Sequence, residues 1–324
     1  MAGRGTRVRP HSHVTPKPLL PVCGKSMVER IVDMFSSVLP RPITDGVFVL
    51  GPDFGPDVRK SLTSICTKHG AKAHFAVQDM ALGTAHAVAC AGDQLEGEGI
   101  VVFADTLFYM NPGVDLTEAD VVAWVKHVDD PSAYGVAVRE GDRIVRLVEK
   151  PQVLISTEAL IGIYYVKDLK VLKKAIQHLF DNKITGVGNE YQLTDAFDLL
   201  LKEGKVFKTA SVTEWLDCGN IPALSDTTSF ILKHEGHTAT GVGTVVHPPV
   251  YLGPGATLEG GEVGPNVSIE AGASIKNSII SNTIVFDNAR ISDSTLSSSL
   301  VGKNATVRSF SGKVNIGDHS EVSG

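Results

Sequence analysis

Two textures of hydrophobic patterning divide the chain. Through about residue 220, short apolar runs alternate with amphipathic stretches, which predicts strands joined by crossover helices. The strand-like runs fall at 46–50, 72–77, 99–103, 119–125, 134–138, 144–148 and 159–166, several of them rich in the Val and Ile that suit a buried pleated surface. The helical stretches fall at 27–39, 57–69, 84–91, 169–181 and 193–203. Together they predict an α/β domain over residues 1–222, built on a Rossmann-like mixed, mainly parallel sheet with helices on both faces.

From about Val245 aromatics nearly vanish, Gly, Ser and Asn accumulate, and aliphatic residues recur six positions apart. The register runs through Leu252 and Leu258, through Val263, Ile269 and Ile275, through Val285 and Ile291, through Val301 and Val307, and through Ile316 and Val322. Turn-forming residues follow many of these positions, as at Gly253, Pro254, Gly264 and Pro265. The repeat predicts a left-handed parallel β-helix over residues 245–324, its inward aliphatics stacked coil on coil. A β-sandwich is the competing architecture, but the period-two alternation and aromatic core it would show are scarce here. Residues 223–244, with Ala223, Leu224, Ile231 and Leu232 among their apolar positions, form the expected helical linker.

Composition narrows the class. Of 324 residues, 43% are hydrophobic and 20% charged, which excludes a disordered or fibrous chain. A net charge of -6 argues against a nucleic-acid or anionic-membrane surface, so any phosphate should meet a local cluster of basic side chains. Cys23, Cys66, Cys90 and Cys218 have neither paired metal-ligand spacing nor the density of a disulfide scaffold, and read as reduced thiols. No apolar run approaches the roughly 18 residues of a membrane-spanning helix, and the N-terminus lacks the order of a signal peptide, so the expected location is cytoplasmic.

The chemistry-bearing residues begin at the N-terminus. Ala2, Gly3, Gly5 and Thr6 are small residues around which backbone N–H groups can approach phosphate oxygens. The stretch has neither the Gly-Lys-Ser/Thr of the ATPase loop nor the third glycine of the dinucleotide fingerprint. It continues into a segment stiffened by Pro10, Pro16, Pro18 and Pro21 that carries the cations Arg7 and Lys17. A phosphate loop ordinarily follows a buried strand, whereas this one begins at residue 2, so a first strand outside this numbering, or a Met1 that was originally internal, is expected. Asp105 follows the apolar run 100–103, at the strand end where open α/β sheets bind ligands. Gln78 offers both a donor and an acceptor, and Thr84 stands where it could cap the helix at 85–91. His11 and His13 lack a third ligand nearby and read as solvent-facing.

With Gly3, Gly5, Thr6 and Arg7 followed by Pro10, by Pro16 and Lys17, and by Leu19, Leu20 and Pro21, the chain resembles the sugar-1-phosphate nucleotidylyltransferases. Further motifs similar to that family's occur in its order at 78–88, 103–105, 149–151, 162–164, 190–195 and 215–219, and a β-helix tail occurs in several of its branches. The resemblance implies attack of a sugar-1-phosphate oxygen on the α-phosphorus of a nucleoside triphosphate, with pyrophosphate leaving and no covalent intermediate. Such transfers rest on positioning and charge neutralisation. By resemblance Arg7 holds the departing β- and γ-phosphates, Lys17 contacts the reacting centre, and Asp105 with Asp217 holds Mg²⁺. Ala2, Gly3, Gly5, Thr6, Gln78, Gly83 and Thr84 are the implied nucleotide contacts. Gly135, Glu149, Lys150, Gly162 and Glu190 are the implied sugar-phosphate contacts, with Asp195 bordering the same pocket. Ala104 and Thr106, beside Asp105, depart from the Gly and Asn of many relatives.

The implied substrates are glucose-1-phosphate with dTTP or UTP, with mannose-1-phosphate and GTP as the alternative. A β-helix acyltransferase is a second reading, although no histidine lies between Leu252 and Gly317 to serve as its base. A non-catalytic regulatory or scaffold subunit is a third, opposed by the presence of Arg7, Lys17, Asp105, Lys150 and Asp217. No nucleic-acid or membrane partner is expected, and the β-helix is expected to serve homo-oligomer assembly.

Overall fold

The computed structural model describes Gly3 and residues 5–324. Contacts gather these into two units, one of Gly3 with Ile31–Trp215 and one of residues 5–30 with Leu216–Gly324. The helices are α1 (Met27–Val38), α2 (Pro56–Lys68), α3 (Thr84–Ala89), α4 (Leu169–Asp181), α5 (Leu193–Lys202) and α6 (Ile221–His234). None is long and apolar enough to cross a membrane among the described residues.

In the first unit, strands Asp45–Leu50 and Lys72–Val77 pair in parallel and α2 joins them. A six-stranded mixed sheet follows, in the order Gly99–Val102, Glu158–Val166, Val121–His127, Phe207–Ser211, Arg143–Glu149, Gly135–Glu140. Phe207–Ser211 runs parallel to Val121–His127, while Glu158–Val166 is antiparallel to both of its neighbours. Strand Phe207–Ser211 is absent from the apolar pattern because it has one large apolar side chain, Phe207, and takes its burial from Val121 and Val122 beside it.

Helices α4 and α5 bury one stripe each, Leu172, Ile176 and Leu179 on one and Ala196, Phe197 and Leu200 on the other, in a core with Ala123, Val125 and Tyr164. Each fully buried Leu, Ile or Phe contributes about 1.5–3 kcal/mol. Asp168 fixes the start of α4 by accepting from the Lys170 N–H at 2.9 Å.

In the second unit Asn220 caps α6 by accepting from the Ala223 N–H at 3.0 Å, and Pro222 occupies its first turn. A solenoid of parallel strands follows. Leu258, Ile275, Ile291, Val307 and Val322 stand in one column, so successive coils take 17, 16, 16 and 15 residues. Ile269, Val285, Val301 and Ile316 form a second column, and Val246, Val263, Ile280 and Leu296 a third. Among these positions the six-residue rhythm therefore holds along one side in every coil, and the other two sides are one residue shorter except from Val263 to Ile269, where the spacing is again six. Corners turn at left-handed residues that repeat from coil to coil: Asn266, Asn282 and Ser298; Asn277, Asp293 and Ser309; Asn288, Asn304 and His319. Asn and Asp tolerate that backbone region better than most residues, which accounts for the polar composition.

Candidate active site

In the α/β unit three distant motifs are tied together. Gln78 is 7% exposed, donates from Nε2 to the Gly83 carbonyl at 3.2 Å and lies 3.0 Å from His86 Nδ1. Both of its amide hydrogens are thereby used, which leaves the side-chain carbonyl as the group that can accept from a base edge. Gly83, at φ +114°, presses so closely on Tyr191 that a Cβ would overlap the Tyr191 carbonyl oxygen. Flanking backbone bonds run from Tyr191 N to Leu82 O at 2.8 Å and from Ala85 N to Tyr191 O at 2.9 Å.

Thr84 does not cap the helix that it begins. It caps α5, accepting from the Leu193 N–H at 2.9 Å and donating to Gln192 Oε1 at 3.3 Å. Thr194, one residue into α5, donates to Glu149 Oε2 at 3.3 Å. A chain of bonds thus runs from Gln78 through Gly83, Thr84 and the 190–194 turn to Glu149.

Glu149 is carried at the end of strand Arg143–Glu149, and Gly135 on the paired strand makes room for it, since a Cβ there would lie 2.9 Å from Glu149 Oε2. Burial raises the Glu149 carboxyl above its usual range, against Lys150 and the Thr194 hydrogen bond, while Asp195 adds to the rise. Lys150 takes a left-handed backbone at φ 43°, and its Nζ lies 3.9 Å from Glu149 Oε1. Asp195 keeps a buried Oδ2 with no hydrogen-bond partner, and burial raises this carboxyl too. Glu190 accepts at Oε2 from Gln192 at 3.4 Å.

Gly162 shapes the segment that leads to Asp105. At φ +78° it sits in a bulge of its strand, and a Cβ would lie 2.6 Å from the Phe103 ring. Phe103 N donates to the Gly162 carbonyl at 2.9 Å, so this glycine sets the path of the segment that leads two residues on to half-buried Asp105.

Of the remaining predicted residues, Gly5, Thr6, Arg7, Lys17 and Asp217 belong to the second unit. Ala2 lies outside the described residues, and Gly3, in the first unit, is exposed. Gly5, at φ +58°, faces Lys17, whose Cβ would be 2.7 Å from a Cβ on that glycine, and Ser12 Oγ donates to the Gly5 carbonyl at 2.6 Å. Lys17 is buried in the short turn Lys17–Leu19, whereas Thr6 and Arg7 are exposed. Asp217 accepts from the Gly219 N–H at 2.8 Å, and its own carbonyl accepts from Thr227 Oγ1 at 2.7 Å on α6.

His11 corrects the expectation of a solvent-facing side chain. It is 1% exposed, its Nε2 lies 2.6 Å from Asn315 Oδ1, and burial lowers its pKa below the ordinary imidazole value. The sequence gives no sign of this contact, which spans more than three hundred positions.

The family model described as nucleotidyl transferase matches residues 1–234. Among curated relatives, the bifunctional protein GlmU of Lactobacillus delbrueckii subsp. bulgaricus is 29% identical over 328 residues, which cover 94% of this chain and 66% of that protein. The protein of the same name from Shouchella clausii is 27% identical, over 99% of this chain and 78% of its own. Among solved structures, a putative glucose-1-phosphate thymidylyltransferase from Bacillus anthracis superimposes at a TM-score of 0.57 with 25% identity, covering 71% of this chain and 92% of that one. An apo UDP-glucose pyrophosphorylase shares the fold at 0.57 and 20% identity. The chain thus spans just under two thirds of the length of the first of these relatives.

Proposed function

The chain belongs to the nucleotidyl transferase family, and on that premise we propose that it transfers a nucleoside monophosphate from a nucleoside triphosphate to a sugar-1-phosphate. An oxygen of the sugar phosphate attacks the α-phosphorus, the bond to the β-phosphate oxygen breaks, and pyrophosphate leaves with that electron pair. The observation that carries the reading is the bond chain linking Gln78, Gly83, Thr84 and Thr194 to Glu149, which ties a base-reading stretch to a sugar-side carboxylate.

The roles follow from chemistry. The Gln78 carbonyl accepts from the base, and Gly3, Gly5 and Thr6 present backbone N–H groups to phosphate. Arg7 and Lys17 neutralise the triphosphate. Glu149 accepts from sugar hydroxyls, Lys150 meets the sugar phosphate, and Glu190 borders the same pocket. Asp105 and Asp217 are hard oxygen donors that fit Mg²⁺. Mg²⁺ is commonly held by one or two carboxylates together with substrate phosphates, which is the ligand set that these two residues and a triphosphate would offer. When bound, Mg²⁺ supplies charge neutralisation at the phosphates. For the sugar and base we favour glucose-1-phosphate with dTTP or UTP, and mannose-1-phosphate with GTP is the alternative.

The test is substitution at the carboxylates. Asp105→Asn and Asp217→Asn are each expected to lower pyrophosphate release by about a hundredfold or more with the fold retained by circular dichroism. Unchanged turnover in both would remove the metal assignment.

A further inference from the structure

The segment bearing Arg7 and Lys17 is fastened to the β-helix at two places that the proposed chemistry does not use. At the first, buried His11 reaches Asn315 at 2.6 Å and lays its ring 5.1 Å from that of Phe286. Beside it Pro10 stands so close to Gly317 that a Cβ there would come within 2.9 Å. At the second, Gly24 at φ +82° donates its N–H to Glu270 Oε2 at 3.0 Å, and the Tyr251 hydroxyl fills the space where a Gly24 side chain would stand. Glu270 is 2% exposed, and its other oxygen accepts from Ser268 Oγ at 2.8 Å. Glu270 is the one charged residue between Glu262 and Lys276, a run otherwise made of coil-forming aliphatic and small residues.

We propose that the β-helix is the seat of the phosphate-binding segment, with His11 and Glu270 as positioning residues that hold Arg7 and Lys17 ready for a triphosphate. The proposal rests on reading residues 3–22 as that segment. Arg7 lies just before the first fastening and Lys17 lies between the two. An unfastened loop would lose its conformational freedom on binding and so weaken it, whereas a fastened one has already been ordered during folding. The β-helix then contributes to nucleotide affinity without touching the nucleotide.

The carboxylate gives this seat a pH signature. Burial pushes Glu270 up to about 7 and nearby Asp287 adds to the rise, against Ser268, the Gly24 N–H and Arg30. Cys23 and Tyr251, which also face it, are pushed up by burial and stay neutral, and Glu235 is held low by Arg30. Release of the Gly24 turn exposes Glu270 to water and returns it towards the ordinary carboxylate range. The seated state therefore holds the extra proton, and seating weakens as pH rises towards 7.

The experiment uses the full chain and compares wild type with Glu270→Ala, Glu270→Gln, His11→Ala and Ile291→Ala. The last loosens a β-helix column without touching the segment. Triphosphate dissociation constants are measured at pH 5.5 and 8, together with the KM for sugar-1-phosphate and the rate of tryptic cleavage after Arg7. Glu270→Ala and His11→Ala are expected to raise the triphosphate constant and the cleavage rate about tenfold, and to leave the sugar-1-phosphate KM within about twofold. Glu270→Gln restores both and binds at least as tightly as wild type at pH 8. Ile291→Ala changes neither. If cleavage and the triphosphate constant stay at wild-type values in both alanine variants, the seat is refuted. If cleavage rises and triphosphate affinity does not, the fastening is real and its role in nucleotide binding is wrong. A wild type that binds no triphosphate, yet shows the cleavage pattern, overturns the functional reading together with that role and leaves the fastening standing.

Discussion

The β-helix and the candidate site of the α/β unit hold themselves together in opposite ways. In the coils each contact is made again one coil away: Ile275 stacks on Ile291 and Ile291 on Val307. In the site each contact is made once: the Thr84 side chain ties the 78–84 stretch to the start of α5, and the Thr194 hydroxyl ties α5 to Glu149. A repeated contact shares a loss with its neighbours, whereas a single one passes the loss along the bond chain. Damage should therefore stay local in the coils and travel in the site.

The largest effect is expected at Gly83→Ala. Its Cβ would overlap a backbone oxygen at a φ of +114°, where no side chain is comfortable, so the 82–85 loop must leave Tyr191. Turnover should fall by about a hundredfold or more, with KM raised for both substrates. A rise confined to the triphosphate would show that the bond chain does not couple the two sides.

Next in size is Ile291→Ala, which removes a side chain that is 1% exposed from the middle of a column. It should cost about 2–5 kcal/mol in denaturant unfolding and leave turnover per folded molecule within about twofold. A loss of turnover matching the loss of stability would mean that damage in the coils does travel.

Glu270→Gln sharpens the comparison, because Glu270 is a coil position doing a single-copy job. Its folded value of about 7 lies above the ordinary one, so its favourable contribution is complete at acidic pH and is lost as pH rises through about 7. The Gln variant should match wild type near pH 4 and exceed it at pH 8 by up to about 3 kcal/mol. Equal stability at both pH values would show that the carboxyl is not the titrating group.

The smallest effect is expected of Thr84→Val, which removes the oxygen that accepts from Leu193 N. It should lower stability by about 1–2 kcal/mol, read from thermal unfolding.

These contrasts also mark what the sequence makes legible. Helices α1 to α5 fall within two residues of their expected ends, because 3.6-residue patterning and terminal residues are local signals. Two columns of the β-helix are legible for the same reason. In the third, Val263 keeps the six-residue register, and Ile280 and Leu296 are hidden by their five-residue spacing from Val285 and Val301 of the second. Pairing direction is not written in an apolar run, so the antiparallel pairings of the sheet, such as Glu158–Val166 against Val121–His127 and Gly135–Glu140 against Arg143–Glu149, emerge only in the structure. In the candidate site, the sequence names residue types and their order, but the partners are not legible in it. The Gly83 backbone conformation makes sense only beside Tyr191, Gly162 only beside Phe103, and His11 only beside Asn315.

Nucleotidylyl transfer itself is open to direct assay. The most direct measurement incubates the full chain and Mg²⁺ with dTTP, UTP, GTP, ATP or CTP, with and without glucose-1-phosphate or mannose-1-phosphate, and follows pyrophosphate and nucleotide-sugar together. Both products are expected in equimolar amounts, dependent on a sugar-1-phosphate, with dTTP or UTP and glucose-1-phosphate as the fastest pair. Pyrophosphate release that ignores the sugar phosphate, or no product with any pair, would contradict the proposed transfer.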